Sequence, residues 1–206
     1  MTGLGPVGFD LDMTLIDSRP AIMAAFAGLA EDTGVGIDLA EVDGRLGIKL
    51  EDELAYWFAP ERIPAAAEGY RRHYIRLAER MTAALPGAAD ALRAVRAAGE
   101  RVVIITAKHP VSVPPSLRAA GLAADELFTH VHGPEKAAVL RRVRAVAYVG
   151  DTPADMTAAA DAGVLAVGVT TGSFGAGELT AAGAGVVLRS LACFPLWYSS
   201  IRTARQ

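Results

Sequence analysis

From Ala88 onward the chain alternates short Val/Ile-rich runs with helical stretches, and this alternation restricts the fold more than any other feature. Residues 101–106, 145–149 and 165–169 are apolar runs of the length expected of parallel strands buried on both faces, and 127–131 reads as a further short strand. Between them, residues 88–98, closed by Gly99, read as a helix. Further helices are expected from Pro114 or Pro115 to Gly121, over 135–143 and over 157–162. Short connections between such elements predict an α/β protein built on a doubly wound parallel sheet.

The stretch Val7-Gly8-Phe9-Asp10-Leu11-Asp12-Met13-Thr14-Leu15 reads as another strand, ending in two aspartates and a hydroxyl residue. Strand side chains alternate, so Asp10 and Asp12 are expected to face the same way, with Cα atoms roughly 6.6 Å apart, and Met13 to face away. Paired carboxylates so close require a cation or a shared proton. Open α/β sheets bind ligands beyond the carboxyl ends of their strands. Asp10 and Asp12, Thr106, and Asp151 with Asp155 all fall at or just after such ends.

Residues 17–84 have a different texture. Ser18 or Asp17 is positioned to cap a helix with Pro20 in its first turn, and helical periodicity runs on to Gly34. Residues 46–58 and 62–81 read as two more helices, with Trp57 and Phe58 as core and Arg71-Arg72-His73 as an exposed face. Leu85-Pro86-Gly87 then punctuates the chain. The organisation expected is a core of residues 1–16 and 85–206 with an all-helical insertion, 17–84, between its parts.

Across 206 residues the formal net charge is -3, with no concentration of Lys or Arg to meet a nucleic acid or an anionic membrane surface. Cys193 is the only cysteine, which excludes an intrachain disulfide and a Cys-rich zinc site; a buried position is expected for it. His130 and His132 offer two nitrogen ligands with no cysteine or acidic triplet nearby, too few for zinc. The glycine-rich 162–188 stretch reads as strand, loop and strand and not as a membrane span. The first residues carry neither a basic nor an apolar leader pattern, so a cytoplasmic location is expected.

Taken together, the Asp10-Leu11-Asp12-Met13-Thr14 turn, Thr106, Lys136 at a helix start after Gly133-Pro134-Glu135, and Gly150-Asp151-Thr152-Pro153-Ala154-Asp155 resemble, in order and composition, the four motifs of the haloacid dehalogenase-like hydrolase superfamily. The resemblance spans nearly the whole chain and is nearest the phosphoglycolate phosphatase branch. It implies a Rossmann-like core whose central strand carries Asp10, with the insertion as a helical cap. It further implies Asp10 as nucleophile forming an aspartyl-phosphate, Asp12 as general acid and base, Thr106 as donor to the phosphoryl group and Lys136 as neutralising charge. Lys108 is a rival for that last role.

The cofactor implied is Mg2+, held by Asp10, Asp151 and the Asp12 carbonyl, with Asp155 in its outer shell; an all-oxygen set suits that ion. The partner implied is a small phosphate ester, and the chain is expected to act as a monomer or homodimer. Arg45 and Lys49 lie in the segment Gly44-Arg45-Leu46-Gly47-Ile48-Lys49, where related phosphatases read their substrate, and Arg45 has the geometry to recognise an anionic group. Phe174, in the loop 172–177, is expected to line the entrance. Met13 stands where the family often has glycine. Asp12 argues against a dehalogenase, which lacks an acid there. A phosphosugar mutase of the β-phosphoglucomutase kind would carry the same motifs, and a non-catalytic phospho-acceptor domain would share the acid, Thr and Lys but lack the helical insertion.

Overall fold

The computed structural model describes residues 4–203. Along the chain its elements are β1 (Val7–Phe9), β2 (Ile16–Asp17), α1 (Arg19–Thr33), α2 (Leu39–Gly44), α3 (Leu50–Leu54), α4 (Ile63–Met81), β3 (Ala83–Ala84), α5 (Ala88–Ala97) and β4 (Val102–Ile105). They continue with α6 (Val113–Ala120), β5 (Glu126–Phe128), α7 (Pro134–Val143), β6 (Ala147–Gly150), α8 (Pro153–Ala162), β7 (Leu165–Val169), α9 (Ala176–Ala181), β8 (Val186–Leu188) and α10 (Phe194–Thr203).

Six strands form one parallel sheet in the order β5-β4-β1-β6-β7-β8, so the strand that leads into Asp10 is central. Alternation along the strands separates two apolar layers. Val7 and Phe9, Val102 and Ile104, and Ala147 and Val149 pack on one face against α5, α6 and α10, where Phe194 and Tyr198 are buried. Val103, Ile105 and Tyr148 pack on the other against α7, α8 and α9. Gly8 lies opposite Tyr148, and a Cβ there would come within 2.9 Å of the ring. Both faces are covered, the arrangement that all-parallel sheets require.

The helical insertion leaves and rejoins the core through one antiparallel pair, with Ile16 opposite Ala84 and Asp17 opposite Ala83. It has its own apolar core around Phe26, Leu29, Leu54 and Phe58, with Trp57 packed alongside. The expected single helix over 46–58 is broken: Gly47 takes φ +108°, which ends the turn after α2, and α3 restarts only at Leu50. Arg71 also departs from expectation. It turns inward to Glu51 at 2.5 Å and Glu68 at 3.2 Å, while His73 fits beside Gly28 and meets Asp32 at 2.7 Å.

Other differences are local. Helix α8 begins at Pro153, four residues earlier than expected, because Thr152 and Asp155 close a capping box around it. Strand β5 stops before His130, whose φ of +57° cannot continue a strand. Cys193 is exposed, since Leu191 and Phe194 take the buried positions on either side. The aromatic C-terminal segment packs on the core, with Phe194 5.5 Å from Phe9 and 5.3 Å from Tyr198, ring centre to centre. Among the described residues, no helix is long and apolar enough to cross a membrane.

Gly87 joins the insertion's return to this C-terminal segment. Its φ is +84°, and a Cβ there would lie 2.1 Å from the Ala192 nitrogen. Gly87→Ala is expected to destabilise the fold by about 1–3 kcal/mol, seen as a fall of several degrees in Tm. An unchanged melting curve would show that the contact can relax.

Candidate active site

The site lies beyond the carboxyl ends of β1, β4 and β6, where the sheet connections diverge to opposite sides of β1. Asp10 follows β1, Thr106 follows β4 and Asp151 follows β6, so three residues far apart in sequence converge because their strands are neighbours. Helices α7 and α8 bring in Lys136 and Asp155 from their first turns. Asp10, Asp151 and Asp155 are buried, and a carboxylate oxygen from each lies within 4.8 Å of the others.

Lys136 is the pivot of this group. Its Nζ donates to Asp10 Oδ1 at 2.8 Å and to Asp155 Oδ1 at 2.7 Å. The other oxygen of Asp155 accepts from Thr152 Oγ1 and from its backbone N–H, at 2.7 and 3.2 Å. Asp151 Oδ1 accepts from Thr14 Oγ1 at 2.7 Å. Among the described residues no donor reaches Asp10 Oδ2 or Asp151 Oδ2, so each of these aspartates keeps one oxygen for another partner while both oxygens of Asp155 are engaged.

Two glycines make the cluster possible. A Cβ at Gly150 would sit 2.4 Å from the Asp155 Cβ, and one at Gly172 only 2.0 Å from Asp151 Oδ2. The loop after β7 therefore touches the site through Gly172, and Ser173 lines the cavity. Phe174, expected there, instead packs into the apolar layer beneath.

Lys136 and Lys108 take different partners. Lys108 donates to Asp12 Oδ1 at 2.8 Å, and its Nζ lies 4.1 Å from the Tyr74 ring centre. Ser18, one of the two candidate helix caps, instead turns its hydroxyl onto the same Asp12 oxygen at 2.5 Å. Thr106 Oγ1 accepts the Lys108 N–H at 3.1 Å, which leaves its hydroxyl hydrogen available. Strand alternation, which set the expected direction of Met13, does not reach it: the strand ends at Phe9, Met13 has φ +58°, and the residue lines the same cavity. That backbone conformation explains why glycine suits the position.

Both expected substrate-reading residues line the cavity. Arg45, however, is held by Glu53 through two hydrogen bonds, at 2.8 and 2.9 Å, and by Glu41 at 3.0 Å, and it stacks 4.1 Å over the Tyr56 ring. Lys49 is exposed at the rim. His109, His130 and His132 form an edge-to-face row with ring centres 5.5 and 5.0 Å apart.

Thr14, Ser18, Thr152 and Gly172 escaped the sequence reading as site residues. The one signal available was the hydroxyl-rich character of the turns that carry them.

The electrostatics call for added positive charge. Burial, with Asp155 and Asp12 nearby, pushes the Asp10 carboxyl up to about 7 despite Lys136. Burial and the Asp10 and Asp155 charges also push Asp151 well above the usual range. Burial alone would lower Lys136, but Asp10 and Asp155 outweigh it and hold the ammonium well above its ordinary value. Below the ordinary aspartate value of 3.8, Asp10 is protonated whether or not the chain is folded. As pH rises through about 7, folding must ionise a carboxyl that the unfolded chain ionises freely, and stability is lost. In chelator-treated protein, Asp10→Asn should therefore melt above the wild type at pH 8, by on the order of 2–4 kcal/mol, with the gap closing near pH 4. A pH-independent gap would contradict a buried, ionising Asp10.

Comparison with known proteins agrees with this fold. Residues 7–160 match the sequence profile described as haloacid dehalogenase-like hydrolase. The chain is 35% identical over 179 residues to a phosphoglycolate phosphatase of Cereibacter sphaeroides, covering 77% of this chain and 81% of that one. It is 30% identical over 194 residues to a Dickeya dadantii protein named "Probable phosphatase IndB", covering 84% of each. Among solved structures, a haloacid dehalogenase-like family hydrolase from Streptococcus pneumoniae superposes with a TM-score of 0.82 at 22% identity, over 98% of this chain and 100% of that one.

Proposed function

The chain belongs to the haloacid dehalogenase-like hydrolase family and is a phosphatase, and from that premise we propose that it is a magnesium-dependent enzyme acting on a small phosphorylated metabolite through an aspartyl-phosphate on Asp10. The observation that carries this reading is the buried convergence of Asp10, Asp151 and Asp155 around Lys136 at the carboxyl end of the central strand. Residues 1–16 and 85–206 act as the catalytic core and 17–84 as a cap over it. A cytoplasmic location suits the exposed free thiol of Cys193.

The donor set fits a hard divalent cation. Its ligand atoms are carboxylate oxygens, and Asp10 and Asp151 each keep one oxygen free of protein donors. Asp10 and Asp151 would hold the ion, joined by the Asp12 carbonyl. Asp155, with both oxygens engaged, orients Lys136 and the start of α8. When bound, magnesium supplies the charge that lets a phosphate dianion approach these carboxylates.

The remaining work falls to side chains. One oxygen of the Asp10 carboxylate attacks phosphorus while the other is left for the ion, and an oxygen–phosphorus bond forms as the ester bond breaks. Asp12, fixed through Oδ1 by Ser18 and Lys108, delivers a proton from Oδ2 to the departing alcohol. The same oxygen then takes a proton from water as that water attacks phosphorus, returning Asp10 and releasing phosphate. The Thr106 hydroxyl donates to a phosphoryl oxygen, and Lys136 holds Asp10 against rotation while opposing the charge that develops. The helical cap keeps bulk water away from the intermediate.

The test is phosphate release from a panel of esters with and without magnesium. Wild type is expected to require the metal, and Asp10→Asn to lose at least about 10³-fold in kcat. Acid quenching should trap a phosphorylated wild-type protein and none in the variant. Metal-independent turnover, or a variant that keeps its activity, would overturn the mechanism. Gly172→Ala forces a methyl group onto Asp151 Oδ2, and it should raise the magnesium concentration needed for half-maximal activity by about ten-fold. An unchanged requirement would remove Asp151 from the ligand set.

A further inference from the structure

The cavity above the carboxylates has a volume of about 430 Å³, within the range of pockets that enclose whole organic ligands. The phosphoryl group occupies only its floor. The wall contributed by the helical segment has an apolar and aromatic part, where Ile22, Ile48 and Leu50 line the space together with a continuous row of rings, Phe26, Tyr70 and Tyr74, and a charged part between Arg45 and Glu53 with Arg71. Phe26 and Tyr70 are 4.7 Å apart and Tyr70 and Tyr74 6.1 Å apart, centre to centre. Ile48 is 45% exposed, an aliphatic side chain left uncovered at the mouth.

The cations facing this space are largely committed. Arg45 is held by Glu53 and Glu41, Arg71 by Glu51 and Glu68, and Lys108 by Asp12. Lys49, exposed at the rim, is followed closely in the chain by Glu51, Asp52 and Glu53, which line the same wall. Burial and neighbouring positive groups keep His109 and His132 below the ordinary imidazole value, so neither adds positive charge near neutrality. A second anionic group on a substrate would lose its hydration here and would have to displace a carboxylate already bonded to arginine.

From the aromatic wall and the paired arginines we infer that the alcohol released from the substrate is uncharged and carries a ring or comparable apolar surface, so that the substrate is a phosphate monoester without a second anion. This rests on the phosphatase reading of the same site and specifies its substrate class. It sets the chain apart from relatives named for phosphoglycolate, whose alcohol bears a carboxylate. The cap thus selects by stacking and apolar contact.

The test compares benzyl phosphate with 2-phosphoglycolate in the presence of magnesium. Both are primary alkyl esters, so their leaving oxygens are alike and a difference reports on the cavity. Benzyl phosphate is expected to show a kcat/KM at least ten-fold higher. Ile48→Ala, a change at a half-exposed position, should lower that ratio about five-fold, chiefly through KM for the benzyl ester. A wild-type ratio at or below one, or a ratio that Ile48→Ala does not move, overturns the inference while leaving the phosphatase intact. Release of phosphate from no ester in the wider panel overturns the phosphatase reading instead.

Discussion

The ammonium of Lys136, buried between Asp10 and Asp155, is the interaction on which the rest of the site depends. Three carboxylates packed within 4.8 Å under a sheet rim would repel, and burial strengthens that repulsion because little water remains to screen it. One buried cation does not neutralise three acids, so the cluster stays short of positive charge; burial, and after it the neighbouring acids, push the Asp10 and Asp151 carboxyls up. A site with that deficit is suited to receive a divalent ion and a phosphate together. Removing the one cation from such a buried group leaves its acids unpaired and commonly costs about 3–5 kcal/mol, which ties the catalytic arrangement to the stability of α7 against the sheet.

A second, weaker link joins the helical segment to the chemistry. Helix α4 docks on α6 through the hydrogen bond between the Tyr74 and Ser116 hydroxyls, 2.9 Å long and buried. The Tyr74 ring also carries the Lys108 ammonium, and Lys108 in turn holds Asp12. The residue proposed to move the proton is thus fixed partly by the segment that closes over it, and Ser18, at the start of α1, adds a second hold from the same side. The placement of the helices and the orientation of Asp12 are one problem, solved by a few side chains around the β2–β3 junction.

Much of this was legible in the chain. Val/Ile runs of the right length, separated by helices with glycine stops, gave the parallel sheet, and the shift of texture after Asp17 marked the helical insertion. The motif aspartates and Thr106 stood out because they fall at or just after strand ends, and Lys136 because its place at a helix start matched the family resemblance. Less legible was whatever depends on a contact distant in sequence. Gly172 is one glycine among 21 until its hydrogen is seen facing Asp151, and Thr14 is an ordinary turn residue until it meets Asp151, 137 positions away. Arg45 was a candidate to read an anionic group, and its engagement with Glu53 was not legible because it depends on how α2 and α3 fold back around Gly47.

The sequence by itself determined the class of fold, the order of its elements and the set of acids at the strand ends, since periodicity, turn residues and strand length are local properties of the chain. Tertiary structure decided which oxygen of each carboxylate is occupied, which lysine serves which aspartate, and whether the cations over the cavity are free to bind. Those outcomes turn on distances of 2.5–2.8 Å between residues up to 137 positions apart, and only the packing of the sheet and its helices sets such distances.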